Sequence, residues 1–242
     1  MSDRYWKVLG EDRIAWHGGS GQWYPQAWMP EIPNPVPRER GYHLCRRQDL
    51  VKWLGPTIWE AKPGNIIIED IDKVVTNRAR LVRRVDTWNA TTQRLFAADC
   101  AEQVLHLFED RQPGDDRPRE TIRTARLFAL GEASNAALFA ASSATLSTAS
   151  SATLSAAWYA IWSTARSAAS AAAWCAAKYA ASDAASAAAR YAVSDLASDA
   201  ASVAAWYAAW DAARDATWDG LTDLLFDWLE GRRTTEQVRD GL

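Results

Sequence analysis

Cysteine is scarce in this chain of 242 residues, and the count is odd: Cys45, Cys100 and Cys175 stand far apart, without framework spacing. That argues against a disulfide-stapled extracellular scaffold and predicts reduced thiols in a cytoplasm. Apolar runs of membrane length are also missing. The opening MSDRYWKVLGED is charged, so no signal peptide is visible, and the Ala-rich C-terminal half holds too much Ser and Asp to cross a bilayer. No large excess of positive charge exists either: residues 1–130 carry 20 Lys or Arg against 18 Asp or Glu, and residues 131–242 carry 7 against 12. This argues against a general nucleic-acid binder. The expectation is a soluble cytoplasmic protein with neither membrane nor nucleic acid as its partner.

The most telling absence is local. From Glu132 to Asp219 there is neither glycine nor proline over 88 residues, and alanine is the commonest residue. What is there repeats every twelve residues: Ser155–Arg166 is SAAWYAIWSTAR, Ser167–Lys178 is SAASAAAWCAAK, and Val203–Arg214 is VAAWYAAWDAAR. A self-similar period of this kind predicts stacked helical units. Each unit is three tetrads, and four residues turn a helix by about 400°, so the alanine stripe drifts by about 40° per tetrad. A single rod would be on the order of 130 Å long and would turn its stripe away from any straight partner. Several shorter helices are therefore expected, with a break in the Ser/Thr-rich stretch Thr145–Ser155.

Before this region the chain is of another kind. Tyr5–Leu9 and Arg13–His17 read as strands of a hairpin turning at Gly10–Asp12. Gly18–Pro37 reads as a long loop, Arg40–Cys45 as a strand, and Gln48–Trp53 as a short helix stopped by Gly55-Pro56. Thr57–Ala61 and Asn65–Glu69 read as strands joined at Pro63-Gly64, and Asp70–Arg84 as a strand or a basic linker. Two amphipathic helices follow, Ala90–Asp110 and Arg119–Leu130, and Thr222–Leu229 closes the fold before eleven residues expected to fray. The fold class is α+β: a small β-rich domain over residues 1–85, then an all-α, Ala-rich bundle or stacked helical repeat over 86–242.

Four segments carry a resemblance. AADCAE at Ala97–Glu102, VLHLFE at Val104–Glu109, PGDDRPR at Pro113–Arg119, and AR-x-x-A-x-GE at Ala125–Glu132 are followed by Ala-rich helices. Together they resemble an immunity-protein family linked to bacterial polymorphic toxin loci. The resemblance implies a helical protein that binds a toxin. The strand Gly41-Tyr42-His43-Leu44-Cys45 is similar to a domain of phage and actinobacterial proteins marked by G-[FY]-H-x-C. Neither resemblance brings a catalytic residue or a cofactor.

Two groups of residues are candidates for binding. His43 and Cys45, two apart on a strand, share a face. With Arg38 and Arg40 nearby they could line a ligand pocket, whereas the spacing of Cys and His matches no zinc module. Asp211, Asp215, Asp219, Asp223 and Asp227 recur every four residues, placing carboxylates about 6 Å apart along a helix as an acidic partner-binding strip. The expected function is non-enzymatic: occlusion of a partner protein, either a toxin or a host defence protein. Two other readings stay open. One is a phage-encoded inhibitor or sponge holding a small or nucleotide-like ligand in the N-terminal domain; the other is a nucleotide-directed enzyme using Arg40 and His43.

Overall fold

The computed structural model describes residues 4–19, 21–103, 105–109, 113–146 and 219–242. The repeats, and with them the expected helix break, Cys175, Asp211 and Asp215, lie outside the described residues. The chain divides into two compact units, Met1–Asn89 and Ala90–Leu242. Among the described residues strands dominate the first and helices the second, an α+β chain.

The first unit holds six strands: β1 (Tyr5–Leu9), β2 (Tyr42–Leu44), β3 (Thr57–Pro63), β4 (Ile67–Asp70), β5 (Lys73–Thr76) and β6 (Ala79–Arg84), with a 3₁₀ helix at Arg47–Trp53 between β2 and β3. They form two antiparallel sheets, ordered β1-β3-β6 and β2-β5-β4. Trp6 and Cys45 join the sheets by exchanging backbone hydrogen bonds of 2.9 and 2.8 Å. Period-two alternation explains the burial: Trp6 and Val8 of β1, and Ala79 and Leu81 of β6, turn inward. Ala79 and Leu81, with Leu9, Trp23, Leu44, Trp59 and Val74, line a continuous core.

Pairing differs from the local expectation in three places. Arg13–His17 is no strand. Gly10 N–H donates to Ile14 O (2.9 Å) and Leu9 bridges Ala15, so the chain makes a tight loop while β1 pairs with β3. Pro63-Gly64 does not join a hairpin, because β3 and β4 belong to different sheets. Asp70–Arg84 is neither a linker nor one strand but two, β5 and β6. Within its basic run Arg83 pairs with Glu60 and Arg84 with Glu11, while the Arg78 and Arg80 guanidinium groups lie 4.9 and 5.3 Å from the Trp28 ring centroid.

In the second unit α1 (Ala90–Gln103) is followed by a short α2 (Leu105–Glu109), α3 (Arg117–Ala129) and α4 (Asn135–Leu146). Pro118 sits in the first turn of α3, where no intrahelical donor is lost. Ile122, Ala125 and Ala129, spaced three and four apart, turn one face of α3 inward, and α3 packs on α1 and α4. Alanines at 98, 101 and 125 leave room for close approach, with Leu105, Ile122 and Leu138 filling the seam. Residues 219–229 form α5, whose Leu221, Leu225, Phe226, Trp228 and Leu229 are buried. The final residues do not fray. Thr234 and Gln237 form a reciprocal capping box that starts α6 (Thr235–Asp240), and Val238 is buried.

Candidate functional site

The bridge between Trp6 and Cys45 sets β1 beside β2, and a cleft of about 630 Å³ opens there. Lys7 and Lys73 bring cations to it, while Trp23, Tyr42 and Trp53 bring aromatic rings. The Lys7 ammonium donates to the His43 carbonyl (3.1 Å) and lies 5.1 Å from the Trp23 ring centroid. Burial lowers its pKa to about 8. Among the described residues no carboxylate is within ion-pair distance of it. The Lys73 ammonium is 4.1 Å from the Trp53 ring centroid and 3.8 Å from Asp72 Oδ1. That oxygen is shielded from solvent and accepts no hydrogen bond. Trp53 is itself fixed, its indole N–H donating to Asp72 O (3.0 Å) and its ring meeting His17 edge-on. Arg46 holds the turn before Lys73, donating to Asp70 O (2.9 Å) while paired with Asp49.

Of the residues expected to form a pocket, Arg38, His43 and Cys45 line the cleft and Arg40 does not. The Arg40 guanidinium turns back to the Asn34 carbonyl (2.8 Å). Arg38 occupies a left-handed conformation (φ 68°) in the tight turn 36–40, which aims its backbone N–H at His43 Nε2 (3.0 Å). Its guanidinium is committed to Asp70 (2.9 Å). Gly41, at φ 127°, makes this approach possible, because a Cβ there would lie 2.5 Å from Val75 Cγ2. Because Nε2 accepts a hydrogen bond, the neutral His43 ring carries its proton on Nδ1. Burial, then Lys7 and Lys73, depress its pKa. Arg40 thus stands apart from His43, outside the lining of the cleft. Cys45 is buried, and burial pushes its thiol up to about 12. It is a poor nucleophile at neutral pH. Among the described residues no three His, Cys, Asp or Glu side chains gather to hold a metal ion.

Lys7 and Lys73 were not singled out by their sequence contexts. Lys7 is one polar residue between the inward-facing Trp6 and Val8. Only the two-sheet pairing reveals that its side of β1 faces a cleft rather than solvent.

In the helical unit the motif residues form one buried cluster around Asp99 and three separate ion pairs. Asp99 is 2% exposed, and its Oδ1 accepts from Arg126 (2.7 Å) and Arg233 (2.7 Å), its Oδ2 from the Trp228 indole N–H (3.0 Å). Glu102 also takes Arg126, whose hydrogen bond holds that carboxyl below the usual carboxylate range. Asp115 pairs with Arg117 (2.7 Å), Glu109 with Arg119 (2.5 Å), and Glu132 with Arg239 (2.8 Å). Each of the four motif segments thus contributes a carboxylate that ties helices or turns together. Of the acidic strip, Asp219 and Asp223 are exposed on α5, and Asp227 is half-exposed and bonded to Arg232 (2.7 Å). Gly220 does not interrupt the helix there.

Residues 85–174, rather more than a third of the chain, match the family model described as Imm-5 like putative immunity protein. The match takes in α1 to α4, and with them Asp99, Glu102 and Arg126. No curated protein and no solved structure gives a match. No helix among the described residues is long and apolar enough to cross a membrane.

Proposed function

We propose that this chain is a non-enzymatic, immunity-type protein that binds a toxin and occludes it with its helical unit. The observation that carries this reading is the family match over residues 85–174, where the motif residues serve helix packing rather than chemistry. A buried carboxylate paired with two arginines and an indole holds α1, α3 and the chain's last turns in one arrangement. Such a scaffold keeps the ordering cost of binding low. Exposed Asp219 and Asp223 give α5 a negative edge suited to a basic partner surface. The likeness of residues 41–45 to a phage and actinobacterial domain fits a role in conflict between bacteria, or between phage and host.

The test starts from proteins of the natural host captured on the immobilised full chain, each then expressed singly in bacteria. At least one should arrest growth alone and lose that effect when this chain is co-expressed. Asp219→Asn combined with Asp223→Asn should slow its association with the chain, most at low salt, where screening is weakest. If no captured protein arrests growth, or arrest persists despite the chain, the reading fails.

A further inference from the structure

We propose that the cleft of the first unit is a binding site for a nucleoside monophosphate, its phosphate held by Lys7 and Lys73 and its base against the aromatic lining of Trp23, Tyr42 and Trp53. This does not depend on the immunity reading, which concerns the other unit.

Four observations converge on that ligand class. The volume, about 630 Å³, falls in the range of small-molecule sites and exceeds what a lone inorganic anion would fill. The Lys7 side chain is partly buried and its ammonium meets no carboxylate among the described residues, so an anion in the cleft would supply a missing counter-charge. Rings from β2, from the 3₁₀ helix and from the loop bearing Trp23 line the same space, and flat faces of this kind stack nucleobases. Asp72 Oδ1, shielded and without a hydrogen-bond donor, is an acceptor for a hydroxyl or amino group, such as a ribose or a nucleobase carries. A simple anion would satisfy the lysines and leave the aromatic wall and Asp72 unused. An apolar ring would do the reverse. Arg38 adds little to the affinity, since Asp70 already holds its guanidinium.

Isothermal titration of the full chain at pH 7 with AMP, GMP, CMP and UMP, with their nucleosides, and with inorganic phosphate decides the matter. At least one nucleotide should bind ten or more times more tightly than both its nucleoside and free phosphate. Lys7→Met and Lys73→Gln should each weaken it at least tenfold without altering the circular-dichroism spectrum. These lysines stand on different strands, so if one variant does not fold the other carries the test. Failure of all four nucleotides at about 1 mM, a Kd limit that leaves less than about 4 kcal/mol of binding free energy, would overturn the proposal. So would equal affinity for phosphate alone, or undiminished affinity in a folded variant.

Discussion

Lys7 and Asp99 show two ways of keeping a charge out of water. Asp99 is surrounded by donors, and truncating it would strand the Arg233 guanidinium beside an unpaired indole N–H and leave Arg126 with Glu102 alone. Lys7 has a carbonyl and a ring face but, among the described residues, no counter-charge, and burial loosens its hold on the proton. The sign follows from linkage. Below pH 8 the ammonium is charged in both folded and unfolded chains, and the folded chain bears the full burial penalty. Between about 8 and 10.4 the folded chain releases the proton first, so the penalty fades as pH rises. Lys7→Met should therefore raise stability at pH 7, with the gain shrinking toward pH 10. The comparison must be made between variant and wild type at each pH. The raised thiols of Cys45 and Cys100 act oppositely in both proteins, taking stability away as unfolded-state thiols ionise above about pH 8.5. A urea-derived stability difference that stays constant from pH 7 to 10 would show that Lys7 carries no burial penalty.

Among the elements, α6 has the clearest cause. Thr234 accepts from the Gln237 backbone N–H while the Gln237 side chain accepts from the Thr234 N–H, satisfying two donors that a helix start leaves open. Thr234→Ala should cost about 1 kcal/mol in chemical denaturation, and a change near zero would mean that α6 adds nothing to the cooperative unit. The signature was legible, since Thr and Gln three apart is the capping pattern, but at the chain's end it reads as a tail. β1, β2, the 3₁₀ helix and β3 were legible because alternation and the Gly55-Pro56 stop are local signals. β5 and β6 were obscured by charge: Arg78, Arg80, Arg83 and Arg84 suggest a solvated linker until Ala79 and Leu81 are seen facing the core between them. The false hairpin at Arg13–His17 has the opposite origin. Its turn residues are real and Leu9 does bridge Ala15, but farther along that edge of β1 Trp6 pairs with Cys45, while β3 holds the other edge. Half of the cleft was visible as the HLC face of β2. Its two lysines were not, because their meeting depends on the contact between sheets and not on any spacing along the chain.

At the scale of the whole molecule, each unit carries its own core, and the cleft lies within the first. A fragment spanning residues 1–89 should consequently unfold in one cooperative transition by thermal circular dichroism; a broad, non-cooperative loss of signal would show that it needs the remainder of the chain. The second unit has a feature with an evolutionary consequence. Asp99 grips Arg126, which precedes the twelve-residue repeats in the chain, and Trp228 and Arg233, which follow them. The grip is made by residues outside the repeats, so it does not count them. Recombination between such similar units can therefore change the length of the array while the clasp itself stays unaltered.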